Sequence, residues 1–448
     1  MSTVDVAAAT RLAALYSDHL AELARRTDAV CRKHGLDGLV VHSGTAQKKT
    51  SFDDQYWPLV TVPVFRHWLP LAVEGCALLL VPGRKPTLFN NVERGFWDGP
   101  PEPESPHFWA FYNVVEVRSP AAIRKALQAR IGGLAGVGDD RAFLASLGLA
   151  DDRIAPRELL TDLDSTRVKK SAYEVHCLRE ANRRACRGHA AVLQAFAAGD
   201  HSELELHLIY LRETAQDDPE TPYKNIVALN EHAATLHHVS YGRHKMAAQS
   251  LLLDAGATFL GYDSDITRTA VKGTGAAADV FRQLVVGVDR LQLQLCEQAR
   301  LGLPYEALHD ESHRLLAQTL LDTGIAKSSS SSSAALVDGG VTRKLFPHGL
   351  GHSLGLVTHD VGCRQVAPRS DNPFLRNTSV IERDQVFTIE PGCYFISSLL
   401  AELKASPAAA QLDWALVDAL VPFGGVRIED DLLVTDGVVD NFTRPFLA

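Results

Sequence analysis

The stretch Phe346-Pro347-His348-Gly349-Leu350-Gly351-His352-Ser353-Leu354-Gly355-Leu356-Val357-Thr358-His359-Asp360 sets three histidines and an aspartate among glycines with almost no other polar residue. It is poor material for a helix or a strand. Imidazoles are proton carriers and metal ligands near neutral pH. Glycines at 349, 351 and 355 let the chain bend tightly while aiming His348, His352 and His359 inward. The segment reads as the lip of an active site. Any one of these histidines alone would read equally well as a buried ring bonded to a backbone carbonyl.

Four carboxylates elsewhere change that balance, because each interrupts or ends an apolar run. Asp254 closes Ser250-Leu-Leu-Leu-Asp254, and Asp265 follows in Gly261-Tyr-Asp-Ser-Asp-Ile-Thr-Arg-Thr269. Gly256 permits a turn between them, so two antiparallel strands could hold the acids side by side. Glu390 ends Val386-Phe-Thr-Ile-Glu390, and Glu429 lies in Gly424-Gly-Val-Arg-Ile-Glu-Asp430. Alternation along a strand puts Arg427 and Glu429 on one face and Val426 and Ile428 on the other.

Clustered buried carboxylates repel one another and are costly to desolvate. A pair of divalent cations resolves this: four carboxylates and a neutral histidine balance two dications. So oxygen-rich a set suits Mn2+ or a similar ion better than a thiolate zinc site does. Pairing with arginines such as Arg268 or Arg427 accounts for one acid, not for four. Two metals sharing a hydroxide and polarising a carbonyl make a hydrolytic centre.

The elements that must position these groups follow from pattern. Apolar residues recur at helical spacing from Ala8 to His34, with Gly35 as a stop. Strands are expected at Gly38–His42, Cys76–Val81 and Asn113–Val117, and a helix from Ala121 to Ile131. Pro100 to Pro106 marks an exposed connection, and Phe52-Asp-Asp-Gln-Tyr-Trp-Pro58 a loop with packed aromatics. A junction is expected between Asp162 and Lys170, before a long helix starting near Ser171. Ser202-Glu-Leu-Glu205 has capping-box spacing, with Leu204, Leu208 and Leu211 expected on one face afterwards. A further helix, Asp279 to Gln298, carries Phe281, Leu284, Val288, Leu291 and Leu295 as its buried stripe. The six serines Ser328 to Ser333 read as a mobile loop insertion.

At 448 residues the chain is long enough for two domains, and 46% hydrophobic against 22% charged residues is ordinary globular composition. A net charge of -9 without a basic block argues against nucleic acid as a partner. No apolar run reaches the roughly 18 residues of a membrane span, and Met1 to Leu15 lacks a basic region ahead of an apolar one. A cytoplasmic protein is the expectation. The seven cysteines are scattered and odd in number, as reduced structural thiols would be.

These segments together resemble the pita-bread metallopeptidases, the family of methionine aminopeptidase, aminopeptidase P and prolidase. The order Asp254, Asp265, His348, Glu390, Glu429 is similar to that family's five ligands. Pro222-Tyr-Lys-Asn-Ile-Val-Ala-Leu-Asn-Glu-His-Ala-Ala-Thr-Leu-His237, Phe52-Asp-Asp54 and Pro422-Phe-Gly-Gly-Val-Arg-Ile-Glu-Asp430 resemble its Xaa-Pro dipeptidase and organophosphorus acid anhydrolase branch, from about Leu15 to the C-terminus.

The resemblance implies an α/β N-terminal domain of creatinase-like type over residues 1–165 and an α+β pita-bread catalytic domain over 166–448. It implies two divalent metals held by Asp254, Asp265, His348, Glu390 and Glu429, with Glu390 also moving the proton of the bridging water. His237 and His359 would steady the scissile amide and its tetrahedral intermediate, with His352 a further pocket residue. Arg376 would grip the C-terminal carboxylate of a dipeptide. Asp54, supplied by the partner subunit of a homodimer, would hold its amine, with Tyr223, Trp97 and Arg427 also at the pocket. The implied reaction is hydrolysis of Xaa-Pro dipeptides. Alternatives are aminopeptidase P activity on longer peptides, with organophosphorus esters as a side reaction, and a metal-free creatinase-like or binding protein on the same fold.

Overall fold

The computed structural model describes residues 3–93, 96, 106–364 and 366–447. Trp97 and the stretch from Pro100 to Ser105 lie outside the described residues. Contacts divide the chain into two compact units, Met1–His176 and Cys177–Ala448.

The first unit opens with a helix, Thr3–Lys33, that ends where expected, Gly35 taking a φ of 61°. Strands β1 (Gly38–His42), β2 (Ala77–Leu80), β3 (Thr87–Asn91), β4 (Asn113–Val117) and β5 (Leu134–Val137) form one sheet in the order β4-β3-β2-β1-β5. The pairing is mixed: β1 runs parallel to β5 and antiparallel to β2. The fully buried β1 sits inside the sheet, and β4, mostly exposed, forms an edge. The helix expected from Ala121 is shorter, Pro120–Leu127, followed by a 3-10 turn at Ile131–Gly133. The aromatics of the Phe52 loop do not pack as expected: Phe52 is 98% exposed, Trp57 58% and Tyr56 51%.

The second unit builds its site from short antiparallel strands backed by helices. Strands β6 (Ile226–Leu229) and β7 (Ser250–Asp254) are adjacent, and a hairpin of β8 (Thr258–Phe259) and β9 (Tyr262–Asp263) leads to β10 (Thr267–Val271) on the other side of β7. The hairpin turns at Leu260 and Gly261, with φ of 50° and 84°, rather than at Gly256. A second sheet joins β11 (Gln385–Ile389), β14 (Asp430–Thr435) and β15 (Val438–Asn441), and β12 (Gly392–Tyr394) pairs with β13 (Gly425–Arg427). The helix Ala276–Gln298 buries Phe281, Leu284, Val288, Leu291 and Leu295, as its periodicity predicts. Its stripe joins one core with Val426 and Ile428.

Two expectations fail here. The helix Glu203–Thr214 buries Glu203, Leu206, His207, Tyr210 and Thr214 and leaves Leu208 exposed, so the Leu204-Leu208-Leu211 row is not its core face. The capping box is present as predicted. The serine run is not a loose insertion either. Ser332 caps the helix Ser333–Asp338, and Ser330, Ser331 and Ser333 each donate to an acceptor on a neighbouring segment.

Candidate active site

Antiparallel register sets Thr267 of β10 opposite Asp254 of β7, and a single bridge continues from Thr267 to Glu429. Strands β7 and β10 and the link between β13 and β14 thereby converge on one point. Tyr223 ties two of the acids together: its hydroxyl lies 2.8 Å from Asp254 Oδ1 and 2.5 Å from Asp265 Oδ1. Thr267 Oγ1 donates to Glu429 Oε2 at 2.8 Å.

The glycine-rich stretch, irregular as expected, is fastened along β11. Glu390 N–H donates to Leu350 O at 2.8 Å, Thr388 N–H to His352 O at 2.9 Å, and Leu354 N–H to Val386 O at 3.1 Å. The contact is so close that a Cβ on Gly351 would stand 2.3 Å from Thr388 O and 2.4 Å from the Tyr305 hydroxyl. None of Gly349, Gly351 and Gly355 takes a left-handed φ, so at Gly351 the need is for space, not for a bend.

A cavity of about 660 Å3 opens between these segments. It is lined by Asp254, Asp265, Glu390 and Glu429, by His237, His348, His352 and His359, and by Tyr223, Arg376 and Arg427. The structure thus brings together every candidate residue of this unit. Asp54, in the first unit, is exposed, and its Oδ1 accepts from Gln55 Nε2 at 3.3 Å.

The histidines differ in what their free nitrogens meet. His352 Nδ1 is 3.0 Å from Ser353 O, which makes Nδ1 the donor and leaves Nε2 bare. That Nε2 lies 3.4 Å from Asp265 Oδ2 and 3.7 Å from Glu390 Oε1. His348 Nδ1 likewise faces Gly349 O at 2.9 Å, but its Nε2 is occupied by the Tyr394 hydroxyl at 2.7 Å. At this cavity, among the described residues, ligating atoms within 4.8 Å of one another come from Asp265, His352 and Glu429, without His348. The His359 ring stands edge-on to His352, 4.4 Å between centroids.

The electrostatics are those of a cavity short of positive charge. Burial, then repulsion from Asp254, raises the Asp265 pKa well above the carboxylate range. Burial, then Asp265 and Glu390, does the same to Glu429, and burial raises Glu390 to about 7. Burial also holds His348 and His359 down at about 3, so both rings are neutral. Arg427 is the buried cation in contact with the acids, its Nη2 2.6 Å from Asp254 Oδ2. Its other nitrogens donate to Tyr394 at 2.9 Å and Thr267 at 3.2 Å, which commits it to the wall rather than to a substrate. One guanidinium cannot neutralise four carboxylates. Oxygen donors with a bare imidazole nitrogen among them fit divalent cations.

Residues 176–436 match metallopeptidase family M24. The chain belongs to that family. Residues 14–164 match the N-terminal domain of Xaa-Pro dipeptidase. Among curated relatives of this M24 chain, the Xaa-Pro dipeptidase of Pseudoalteromonas haloplanktis is 40% identical, covering 98% of this chain and 99% of its own. That of Xanthomonas campestris pv. campestris is 38% identical with 98% of each chain covered. Proline aminopeptidase P II from Yersinia pestis superposes with a TM-score of 0.73 at 21% identity, over 95% of this chain and 96% of that one. Zn-substituted aminopeptidase P of E. coli, in complex with product, gives 0.74 at 21%, over 95% of each. These likenesses establish the pita-bread fold expected from the sequence, with its mixed α/β N-terminal part.

Sequence reasoning overlooked three groups at this M24 site: Thr267, Tyr394, and Asp431, whose Oδ2 accepts from the Asp265 N–H at 3.1 Å. Thr267 and Asp431 each sit two residues beyond a singled-out carboxylate, and that offset was their signal.

Proposed function

We propose that this protein is a dimetal Xaa-Pro dipeptidase, and that its two divalent ions are Mn2+. The observation that carries the reading is the convergence of Asp254, Asp265, Glu390, Glu429 and His352 Nε2 on one cavity in a chain of the M24 family. Asp254, Asp265, Glu390, Glu429 and His352 would hold the ions. His352 takes the place the sequence assigned to His348, because its free nitrogen faces the acids and that of His348 faces Tyr394.

When bound, the ions lower the pKa of a water and polarise the scissile carbonyl. The chain's own residues do the rest. Glu390, a carboxyl whose pKa burial lifts, takes the proton of the attacking water and returns it to the leaving amine. His237 and the neutral His359, on the cavity wall, donate to the amide oxygen as charge builds there. A donor so placed is worth about 3–4 kcal/mol of barrier. Arg376, exposed at the rim, binds the carboxylate of the C-terminal proline in bidentate fashion. Arg427 and Tyr223 hold Asp254 and Asp265 in place.

We assign Asp54 to the substrate's amine in the neighbouring copy of a homodimer. The exposed apolar residues of the loop support that assembly: Phe52 and Val60 face solvent, and Tyr56 and Trp57, with Lys48 and Lys49 over their rings, are half-exposed. A cytoplasmic location fits seven buried cysteines with no disulfide among them. Among the described residues, no helix is long and apolar enough to cross a membrane.

The test is hydrolysis of Ala-Pro, Leu-Pro, Ala-Pro-Ala and Ala-Ala with Mn2+ and then with chelator. Cleavage of the first two alone, lost on chelation, is expected. Cleavage of the tripeptide would replace the assignment with an aminopeptidase P.

A further inference from the structure

Glu203 opens the helix Glu203–Thr214, is 1% exposed, and lies outside the site described above. Its two oxygens receive four donors. Oε1 accepts from Leu229 N–H at 3.0 Å and His232 Nδ1 at 2.7 Å. Oε2 accepts from Gly242 N–H at 2.7 Å and His238 Nε2 at 2.9 Å. All four donors belong to the single segment Leu229–Gly242. One carboxylate therefore closes a loop at both ends and grips it twice inside. The loop carries His237, exposed at the cavity, which makes no side-chain hydrogen bond among the described residues. Its place is set by its neighbours, and His238 is the nearest of them that is tethered.

A metal is the other reading of a Glu-His-His group whose ligating atoms lie within 4.8 Å of one another. The distances decide against it. Two donors at about 2.0–2.1 Å on a tetrahedral ion stand about 3.3 Å apart, whereas the nitrogens here are 2.7 and 2.9 Å from their oxygens, the separation of hydrogen bonds. The stacked His232 and His238 rings, 4.6 Å between centroids, bring both N–H groups to the same carboxylate. Burial alone would raise the Glu203 pKa, but its four donors hold it down at about 2 and keep the carboxylate ionised.

We propose that Glu203 is a positioning residue for the hydrolysis: by tethering Leu229, His232, His238 and Gly242 it holds His237 where the amide oxygen develops charge. The inference rests on the dipeptidase reading of the site. Glu203→Gln keeps the size of the side chain but turns one oxygen into a donor facing two donors. With Ala-Pro as substrate, kcat falls about tenfold or more while KM and metal content stay within about twofold. In a His237→Ala background the same change costs less than about twofold, because the group it positions is already gone. Amide exchange at Leu229 and Gly242 accelerates in the variant.

Should Glu203→Gln fold poorly, His238→Ala is the second variant; His238 has a partly exposed side chain, and its loss gives a smaller fall in kcat, again non-additive with His237→Ala. Equal losses in both backgrounds, or loss of metal with activity, would make Glu203 a purely structural residue and overturn the proposal. Failure of the wild-type enzyme on Ala-Pro would sink the dipeptidase reading instead. The exchange rates at Leu229 and Gly242 would still report on the tether.

Discussion

His352 Nε2 stands 3.4 Å from Asp265 Oδ2, with its other ring nitrogen held by the carbonyl of Ser353. Orientation of this kind is how proteins fix the tautomer of a metal-ligating imidazole. His352→Ala is therefore expected to lose metal and activity together. His348→Ala, which frees Tyr394 rather than the acids, is expected to keep its metal. Elemental analysis of both variants decides between the histidines, and the opposite pattern would return the ligand role to His348.

Glu390→Gln tests proton transfer apart from metal binding. An amide keeps one ligating oxygen but cannot accept a proton at neutral pH, so the variant should stay folded and retain metal. Its kcat should fall by about 10^2–10^4. Substantial turnover with metal bound would remove Glu390 from that role.

Metal-free protein should grow less stable as pH rises. Glu390 in the fold binds its proton up to about 7, whereas in the unfolded chain it lets go near an ordinary value of about 4.3. The folded state thus carries more protons between those values, and stability falls as pH climbs through that window. Asp265 and Glu429 are shifted the same way. Thermal melts of chelated protein from pH 6.5 to 8, above the range in which buried histidines such as His348 and His359 add stability with rising pH, should show a falling Tm, and added Mn2+ should restore most at the alkaline end. A flat profile for the chelated protein would count against mutual repulsion in the site.

Gly351→Ala places a methyl against Thr388 O, a backbone atom that cannot swing away. Overpacking of this kind costs about 1–3 kcal/mol. The displaced segment also carries His348 and His352, so activity should fall with Tm. Gly199→Ala, with nothing within 4 Å, is the control and should melt as the wild type does. Equal melting of the two variants would show that the stretch is not fastened to β11 as tightly as the geometry has it.

Much of the architecture was legible in the residues themselves. Alternation along Gly425–Glu429 put Arg427 beside Glu429 and sent Val426 and Ile428 to the core, because a strand leaves a side chain no other choice. The stripe from Phe281 to Leu295 was equally plain, since one apolar face admits one burial. The helix Glu203–Thr214 shows where such reasoning ends. It offers apolar residues on two faces, and only the neighbours that Leu206 and Tyr210 meet decide that Leu208 stays outside.

The sequence by itself determined the kind of chemistry: carboxylates on strand ends, imidazoles among glycines, too many buried acids for the available cations. Tertiary structure decided which histidine turns its bare nitrogen to the acids. His348 and His352 lie in a segment with neither helical nor strand period, so no local rule says which ring faces the acids. Backbone hydrogen bonds from Glu390 to Leu350, from Thr388 to His352 and from Leu354 to Val386 fix the segment from which both rings project. Tyr394 and Glu203 were silent for a related reason. Each acts through a partner distant in the chain, and no spacing along the sequence encodes a contact that exists only once the strands have met.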